Sequence, residues 1–472
     1  MLLYSMSGFG LGCADFIVAV YLLKYYTDHL ALSATLAGIA LMLGKLLDGV
    51  SDPIMGFISD RTRTRWGRRR PWFLVGAAPF ALSFIAMFSA EAGWSQLQLF
   101  LWLLSWNVIF WSAQTVINVP NAALAGEMVE QHDERNAIMG WREGMWQLGL
   151  LVGAAAPLLV LNSMQDAAVA AALAAGMSEQ AARAVGFAAR GEAHGVMAWQ
   201  FASLVFVGVL LAFFGTREPS RPRTPPRESI FGDFADTLKS RPFRLFIAIF
   251  LFDQIASGLT ATLVLYTIRD WWQFTGRHEM FLIMAYLLSA AASIPLWVRA
   301  GQRMEKAKIF AIGSFLSAAT LLGATLVPHY GLSLAYAGLI GSGVGLGARA
   351  VMAMSTVPDI IDDDEVRTHT RKDGAYIGMW SLTRKLARAL SIGAAGLGLS
   401  FWGYQEGALE QPESAIRGIM WMFSIIPAMA ATVCGFLFLR FPITRAIHEA
   451  TLEELDRRRA SPPEPAPVGN ST

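Results

Sequence analysis

Residues 45–72 read KLLDGVSDPIMGFISDRTRTRWGRRRPW. One apolar run, LSATLAGIALMLG, leads into this stretch and another, FLVGAAPFALSFIAMF, leaves it. Asp48 and Asp52 therefore stand in hydrophobic sequence, four residues apart and on one face of a helix. A carboxylate inside a membrane span is costly, and by default it marks an ion or solute pathway. Six arginines follow, Arg61, Arg63, Arg65, Arg68, Arg69 and Arg70, and they place the loop on the cytoplasmic side. Two acids in a span beside a basic loop predict a transporter.

Outward from this stretch the chain stays apolar. Hydrophobic residues make up 54% of it and charged ones 16%, against about a quarter charged in a soluble domain. Twelve apolar stretches recur, near 3–26, 33–58, 72–90, 97–125, 137–161, 196–215, 243–268, 279–298, 309–327, 331–356, 375–402 and 416–439. Each suffices for a ~30 Å hydrocarbon core. Lipid demands internally satisfied backbones, so the expected fold is an all-α membrane protein of twelve helices. Met1 runs almost directly into the first span, and no cleavable signal is expected. Cys13 and Cys434 lie in apolar spans and frame neither a disulfide nor a metal site.

An even number of spans puts both termini on one side. The loops of that side carry 26 of the 38 Lys and Arg, which predicts both termini cytoplasmic and the chain multi-pass in the plasma (inner) membrane. The basic segment 217–244 reads as a loop signature, not as a nucleic-acid patch. The organisation is a six-helix half at 1–216, a Pro/Arg-rich linker at 217–242, a second six-helix half at 243–440 and a cytoplasmic tail at 441–472. The later part of the linker reads as a short amphipathic helix on the membrane surface. A 238-residue shift carries Arg65, Arg68 and Arg70 onto Arg303, Lys306 and Lys308, Pro120 onto Pro358, and Glu127 onto Glu365. Two repeated halves predict a binding site between them near the midplane. The Ala-rich segment 162–195 reads as a long, largely helical outer loop with Ser178 as a cap. All seven histidines fall in predicted loops or the tail, which argues against a histidine proton relay.

Three strings, LLDGVSDPIMGFISDRTRTRWGRRRPW, VPNAALAGEMVEQHDERNAIMGWREG and VPDIIDDDEVRTHTRKDGAYIGMWSLTRKLARAL, resemble in order the motifs of the glycoside–pentoside–hexuronide:cation symporters. That is the melibiose-permease branch of the major facilitator superfamily. The resemblance implies a major facilitator fold working as a monomer, importing a sugar or glycoside with Na+ or H+ and no other cofactor.

It also gives roles to residues that chemistry already singles out. Hard oxygen ligands suit a cation, and Asp48 and Asp52 match the family's coupling carboxylates, with Lys45 one turn earlier as their ion-pair partner. Thr115 and Asn118 would complete the cation site. Sodium-coupled sugar members carry an acid where this chain has Asn118, so sodium and proton coupling both stay open. Asp15 matches the sugar-binding acid, and Asn118 and Arg142 join it. Trp146, four residues after Arg142, offers a stacking face on the residues' own evidence. Lys385 matches the lysine that links sugar and cation sites, with Arg384 as the alternative register. Asp253 and Arg349 are further intramembrane charges without a family counterpart. The acids Asp359, Asp362 and Glu365 face the Arg65 and Arg68 loop as halves of an expected inner gate.

The expected function is cation-coupled import of a sugar or glycoside by alternating access. The alternative is a facilitator-fold carrier of a lipid-like or other amphiphilic solute. No phosphate-binding glycine loop or nucleophile elbow suggests an enzyme.

Overall fold

A backbone crossing lipid must satisfy its own hydrogen bonds, and the apolar stretches do so as helices. The computed structural model describes residues 2–128, 132–218 and 230–460. Among the described residues, ten helices are long and apolar enough to span: α1 (Leu2–Asp28), α2 (Ala34–Arg61), α4 (Gln96–Ala125), α5 (Ala137–Ala174), α6 (Glu179–Gly215), α7 (Arg241–Trp271), α8 (Arg277–Gly301), α9 (Lys306–Tyr330), α10 (Leu332–Thr368) and α12 (Glu413–Leu439). Two more complete the set. The helix α3 (Pro71–Met87) is apolar but only 17 residues long, and α11 (Asp373–Phe401) carries Arg384, Lys385 and Arg388 in its middle. The face that holds the start of α1 and the tail helix Arg445–Ala460 is here the terminal face, and the other the far face.

Small residues let backbones approach where apolar burial cannot drive helix pairing. Gly8 and Gly12 of α1 lie against the Arg142 and Trp146 carbonyls of α5, and Gly149 and Gly153 of α5 lie against Phe9 and Cys13. That contact sets Arg142 level with Gly8, about two turns before Asp15 on α1. Across the halves, Gly38 of α2 meets Gly396 of α11 so closely that a Cβ on Gly38 would sit 2.9 Å from the Gly396 Cα. The α8–α10 pair uses Gly343 and Gly347 in the same way, against the Tyr286 and Ala290 carbonyls.

A dense polar seal joins the halves at the far face. Lys24 of α1 pairs with Asp28 at 3.0 Å and, across the halves, with Asp270 at 2.6 Å. The Tyr404 hydroxyl donates to Asp28 Oδ1 at 2.7 Å, and Thr27 Oγ1 lies 2.9 Å from the Tyr266 hydroxyl. Arg190 of α6 pairs with Glu279 of α8 at 2.9 Å. The Ala34 and Thr35 amides that open α2 donate to Glu406 Oε1 and Ser400 Oγ. Burial pushes the nearby His29 imidazole down to about 4, so it is neutral at physiological pH.

The segment 162–195 is helical, as its Ala-rich sequence predicts: α5 and α6 run through it, broken only around 175–178, where Ser178 Oγ caps α6 by accepting from the Ala181 amide at 3.3 Å. One expectation changes here. His194, expected in that loop, is buried on α6 with its ring 5.2 Å from that of His29. At the terminal face, the linker helix Ile230–Thr237 is tied toward α11 by Lys372, 3.1 Å from Asp236. Hydrogen bonds from Lys239 and Lys372 hold the Asp236 carboxyl below its ordinary range.

The α2–α11 contact tolerates no added bulk. Gly396→Val is expected to wedge the far face open, lengthening the distance between spin labels at positions 96 and 410 in electron-resonance measurements. An unchanged distance distribution would show that the seal does not depend on this contact.

Candidate functional site

The site lies at mid-depth, where α1, α2, α4, α5 and α11 meet. Asp48 is buried, its side chain 5% exposed, while that of Asp52 is 35% exposed. Pro53 follows, and its missing N–H removes one helical bond from the turn that presents both acids. Thr115 of α4 lies between them, its Oγ1 2.9 Å from Asp48 Oδ1 and 3.1 Å from Asp52 Oδ1. One hydroxyl has one proton, so Thr115 donates to one carboxylate at a time. Ser51 Oγ donates to the same Thr115 oxygen at 3.1 Å.

The ammonium of Lys385 reaches this cluster from the other half. Its Nζ lies 2.6 Å from Asp52 Oδ2 and 3.1 Å from Asp48 Oδ2, and it donates to the Asp48 carbonyl at 3.2 Å. The ammonium thus sits among two carboxylates and one carbonyl oxygen. The register is settled by these contacts: Lys385 faces the acids, while Arg384 lies against the Trp380 ring with 5.5 Å to its centroid.

Lys45 reaches the same Asp48 oxygen as Lys385, 3.1 Å from Oδ2, and lies 4.0 Å from Asp15 Oδ1 and 3.1 Å above the Trp111 ring. Arg388 of α11 closes the group at 3.3 Å from Asp15 Oδ2. Three acids, Asp15, Asp48 and Asp52, are thus answered by three bases, Lys45, Lys385 and Arg388. Two of those bases come from the second half.

Other expected site residues lie elsewhere. Asn118 does not join the acids: its Oδ1 accepts from Arg142 Nη2 at 2.9 Å. Arg142 Nε donates to Asn121 Oδ1 at 3.2 Å, and Asn121 Nδ2 donates to Ser7 Oγ at 3.0 Å. The guanidinium is the stronger donor here, and it turns the amide oxygen away from the carboxylates. Trp146 packs, partly buried, against the apolar core. Among the described residues, Arg65 and Arg68 form no ion pair with Asp359 or Asp362 in this conformation. Arg68 pairs with Glu127 at 2.8 Å and Arg65 lies over the Trp66 ring. Asp359 pairs with Lys306 at 2.6 Å, and Arg371 holds Asp362 at 2.9 Å and Glu365 at 2.7 Å. These pairs run within each half while the far face is sealed.

Sequence reasoning missed Arg388, Asn121, Trp111 and Asn107. Asn107 Nδ2 donates to the Ala40 and Leu41 carbonyls of α2, under Gly44. The available signal for each was a polar or aromatic residue at mid-span depth. A cavity of ≈ 280 Å³ adjoins the site, with Arg384 and Arg388 at one side. Its wall is otherwise largely apolar, including Phe16, Val20, Leu150, Leu287 and Phe423.

Two helical bundles around a mid-depth charged site and a cavity define a membrane transporter. The chain belongs to the MFS/sugar transport protein family, whose profile matches residues 3–445, and so to the major facilitator superfamily. It is 27% identical to an uncharacterized symporter of Synechocystis sp., over 97% of this chain and 96% of that protein. It is 26% identical to the glucuronide carrier protein homolog of Escherichia coli, covering 97% and 95%. The sodium-dependent lysophosphatidylcholine symporter 1-A of Danio rerio is 25% identical, covering 96% and 86%. Among solved structures, a bacterial homolog of the human lysosomal transporter Spinster superposes with a TM-score of 0.65 at 12% identity, over 98% of each chain. At that identity the likeness carries the fold alone.

Removing one partner from a buried ion pair leaves an uncompensated charge. Lys45→Met is expected to cost about 3 kcal/mol and to lower the thermal midpoint in detergent. Adding Asp48→Asn should restore most of it, because the double variant removes both charges of the closest pair. Additive losses in the double variant would show that Lys45 does not act through Asp48.

Proposed function

We propose that this chain is a cation-coupled symporter that carries an amphiphilic solute inward by alternating access. The single observation that carries the reading is the position of Lys385. Its ammonium comes from the second half and occupies the carboxylate cluster of the first. The cation binds at Asp48, Asp52 and Thr115, with the Asp48 carbonyl nearby, and displaces Lys385. The empty site then keeps the halves tied, and the loaded site releases them. The energy of the exchange is modest, because one cation replaces another among the same oxygens. By linkage, any affinity that the cation adds for the solute is returned by the solute to the cation.

The side of the membrane follows from charge. The terminal face carries the basic loops, which supports a cytoplasmic placement in the plasma membrane. The conformation described here is then sealed outward. An amphiphile suits the cavity, whose apolar wall would hold its body while Arg384 and Arg388 meet its polar end. The lysophosphatidylcholine symporter among the relatives supports this class, and its sodium dependence supports Na+ as the coupling ion. Asn118 does not weigh against sodium in this reading, since it serves Arg142 and not the cation.

A second reading, a glycoside as solute, is favoured by Asp15. Its carboxylate and Arg388 stand together beside the cavity, a pairing that sugar hydroxyls could share. The glucuronide carrier homolog supports that class.

The test is uptake into proteoliposomes with sodium and pH gradients imposed separately, offering a fluorescent lysolipid and a labelled glycoside in parallel. Sodium-driven uptake of the lysolipid, lost in Asp52→Asn, is expected. Uptake driven by the pH gradient alone would move the coupling to protons on Asp48 and Asp52. Uptake of neither solute under either gradient would overturn the reading.

A further inference from the structure

We propose that Arg349, held by Asp253 in the core of the second half, receives an anionic group of the transported solute, a carboxylate or a phosphate. The inference rests on the transport reading above and narrows its solute to an anionic amphiphile. The observation behind it lies outside the Asp48 and Asp52 cluster.

Arg349 of α10 and Asp253 of α7 form an ion pair whose side chains are 7% and 3% exposed. A guanidinium has five N–H donors on distinct edges. Nη1 serves Asp253 Oδ1 and lies 3.4 Å from Ser257 Oγ. Nε is buried and has no hydrogen-bond partner among the described residues. The edge that carries Nε is the one that forks onto a second carboxylate or phosphate.

Arg349 lines a small pocket whose other polar residues are Ser257, Thr260, Tyr286, Ser317 and Ser342. All five bear hydroxyls, which can donate to an anion. The pocket's ≈ 10 Å³ is room for about one oxygen atom. Four of its residues, Ser257, Thr260, Tyr286 and Ser342, also line the ≈ 280 Å³ cavity. One oxygen of an anionic group fits the pocket while the rest of the solute stays in the cavity.

Charge balance points the same way. Cavity and pocket are lined by Arg349, Arg384 and Arg388 and by no carboxylate among the described residues. Asp15, Asp48 and Asp52 are already matched by Lys45, Lys385 and Arg388, so an added cation leaves the site with excess positive charge. In a low-dielectric interior that excess attracts an anion strongly. Position 253 is also position 15 carried forward by the 238-residue repeat shift. Each half thus uses the acid of its first helix to hold an arginine, Arg388 of the cavity wall on Asp15 and Arg349 of the adjoining pocket on Asp253.

The test is calorimetric binding to the full chain in lipid nanodiscs at saturating sodium, with three probes. These are p-nitrophenyl β-D-glucoside, p-nitrophenyl β-D-glucuronide and p-nitrophenyl phosphate, of which the last two carry the anionic group. The unaltered protein should bind at least one anionic probe about tenfold more tightly than the glucoside. Whichever anionic probe holds that preference identifies carboxylate or phosphate. Asp253→Asn/Arg349→Gln, which removes both charges together, should lose the preference. Equal binding of all three probes by the unaltered protein would overturn the proposal without any variant. A preference that survives in the double variant would overturn it too, assigning the anion to Arg384 and Arg388. Cation-driven uptake with no anionic preference would sink this inference alone. An intact, Arg349-dependent preference without cation-driven uptake would sink the transport reading alone.

Discussion

One ammonium group between two carboxylates holds this architecture in the state described. Lys385 joins α11 to α2 at mid-depth, inside a site whose three acids and three bases are drawn from both halves. An ion pair so placed does little for stability, because desolvation offsets most of its Coulomb gain. Its consequence is specificity of state. In the proposed cycle the carboxylates are compensated either by Lys385 or by a free cation, and only the first alternative crosses between the halves.

The rest of the structure makes that exchange matter. Glycine contacts such as Gly38 on Gly396 let α2 and α11 close the far face, and the ion pairs of Lys24 and Arg190 seal it. The charged loops of the terminal face pair within their own halves and leave that end free to part. Closed packing at one end and separate networks at the other are what a rocking pair of rigid bundles requires. The cavity between them combines apolar wall with arginine, and its chemistry suits a solute with two unlike ends.

Much of this was legible in the sequence, and the limits have physical causes. Asp48 and Asp52 stood out because two acids at helical spacing in apolar sequence have few other readings. The twelve helices followed from segment length, including α11, although its three bases lower its hydropathy. Lys385 as the partner of Asp52 was reached only through the family resemblance, since 333 residues separate the two and no local pattern links them. Asn118 was misplaced because spacing fixes the face of a residue but not its competition for a stronger donor, here Arg142. The gate expected between Arg65, Arg68 and the acids of α10 belongs to a state with the far face open, and in the state described its charges pair locally. Opposite charges had nearer partners, Glu127 for Arg68 and Arg371 for Asp362 and Glu365. The helical extension through 162–195 was readable as helix, but its polar residues suggested a loop outside the span.

The central claim is that Lys385 and the coupling cation compete for the same oxygens. It is tested most directly by equilibrium binding of radioactive sodium to the purified chain, with no solute present, comparing the natural sequence with Lys385→Met. The account expects the variant to bind sodium more tightly, by about tenfold if one charge-assisted hydrogen bond no longer has to be broken. Weaker or unchanged sodium binding in the variant would contradict it, and would make Lys385 a support of the site instead of a competitor for it.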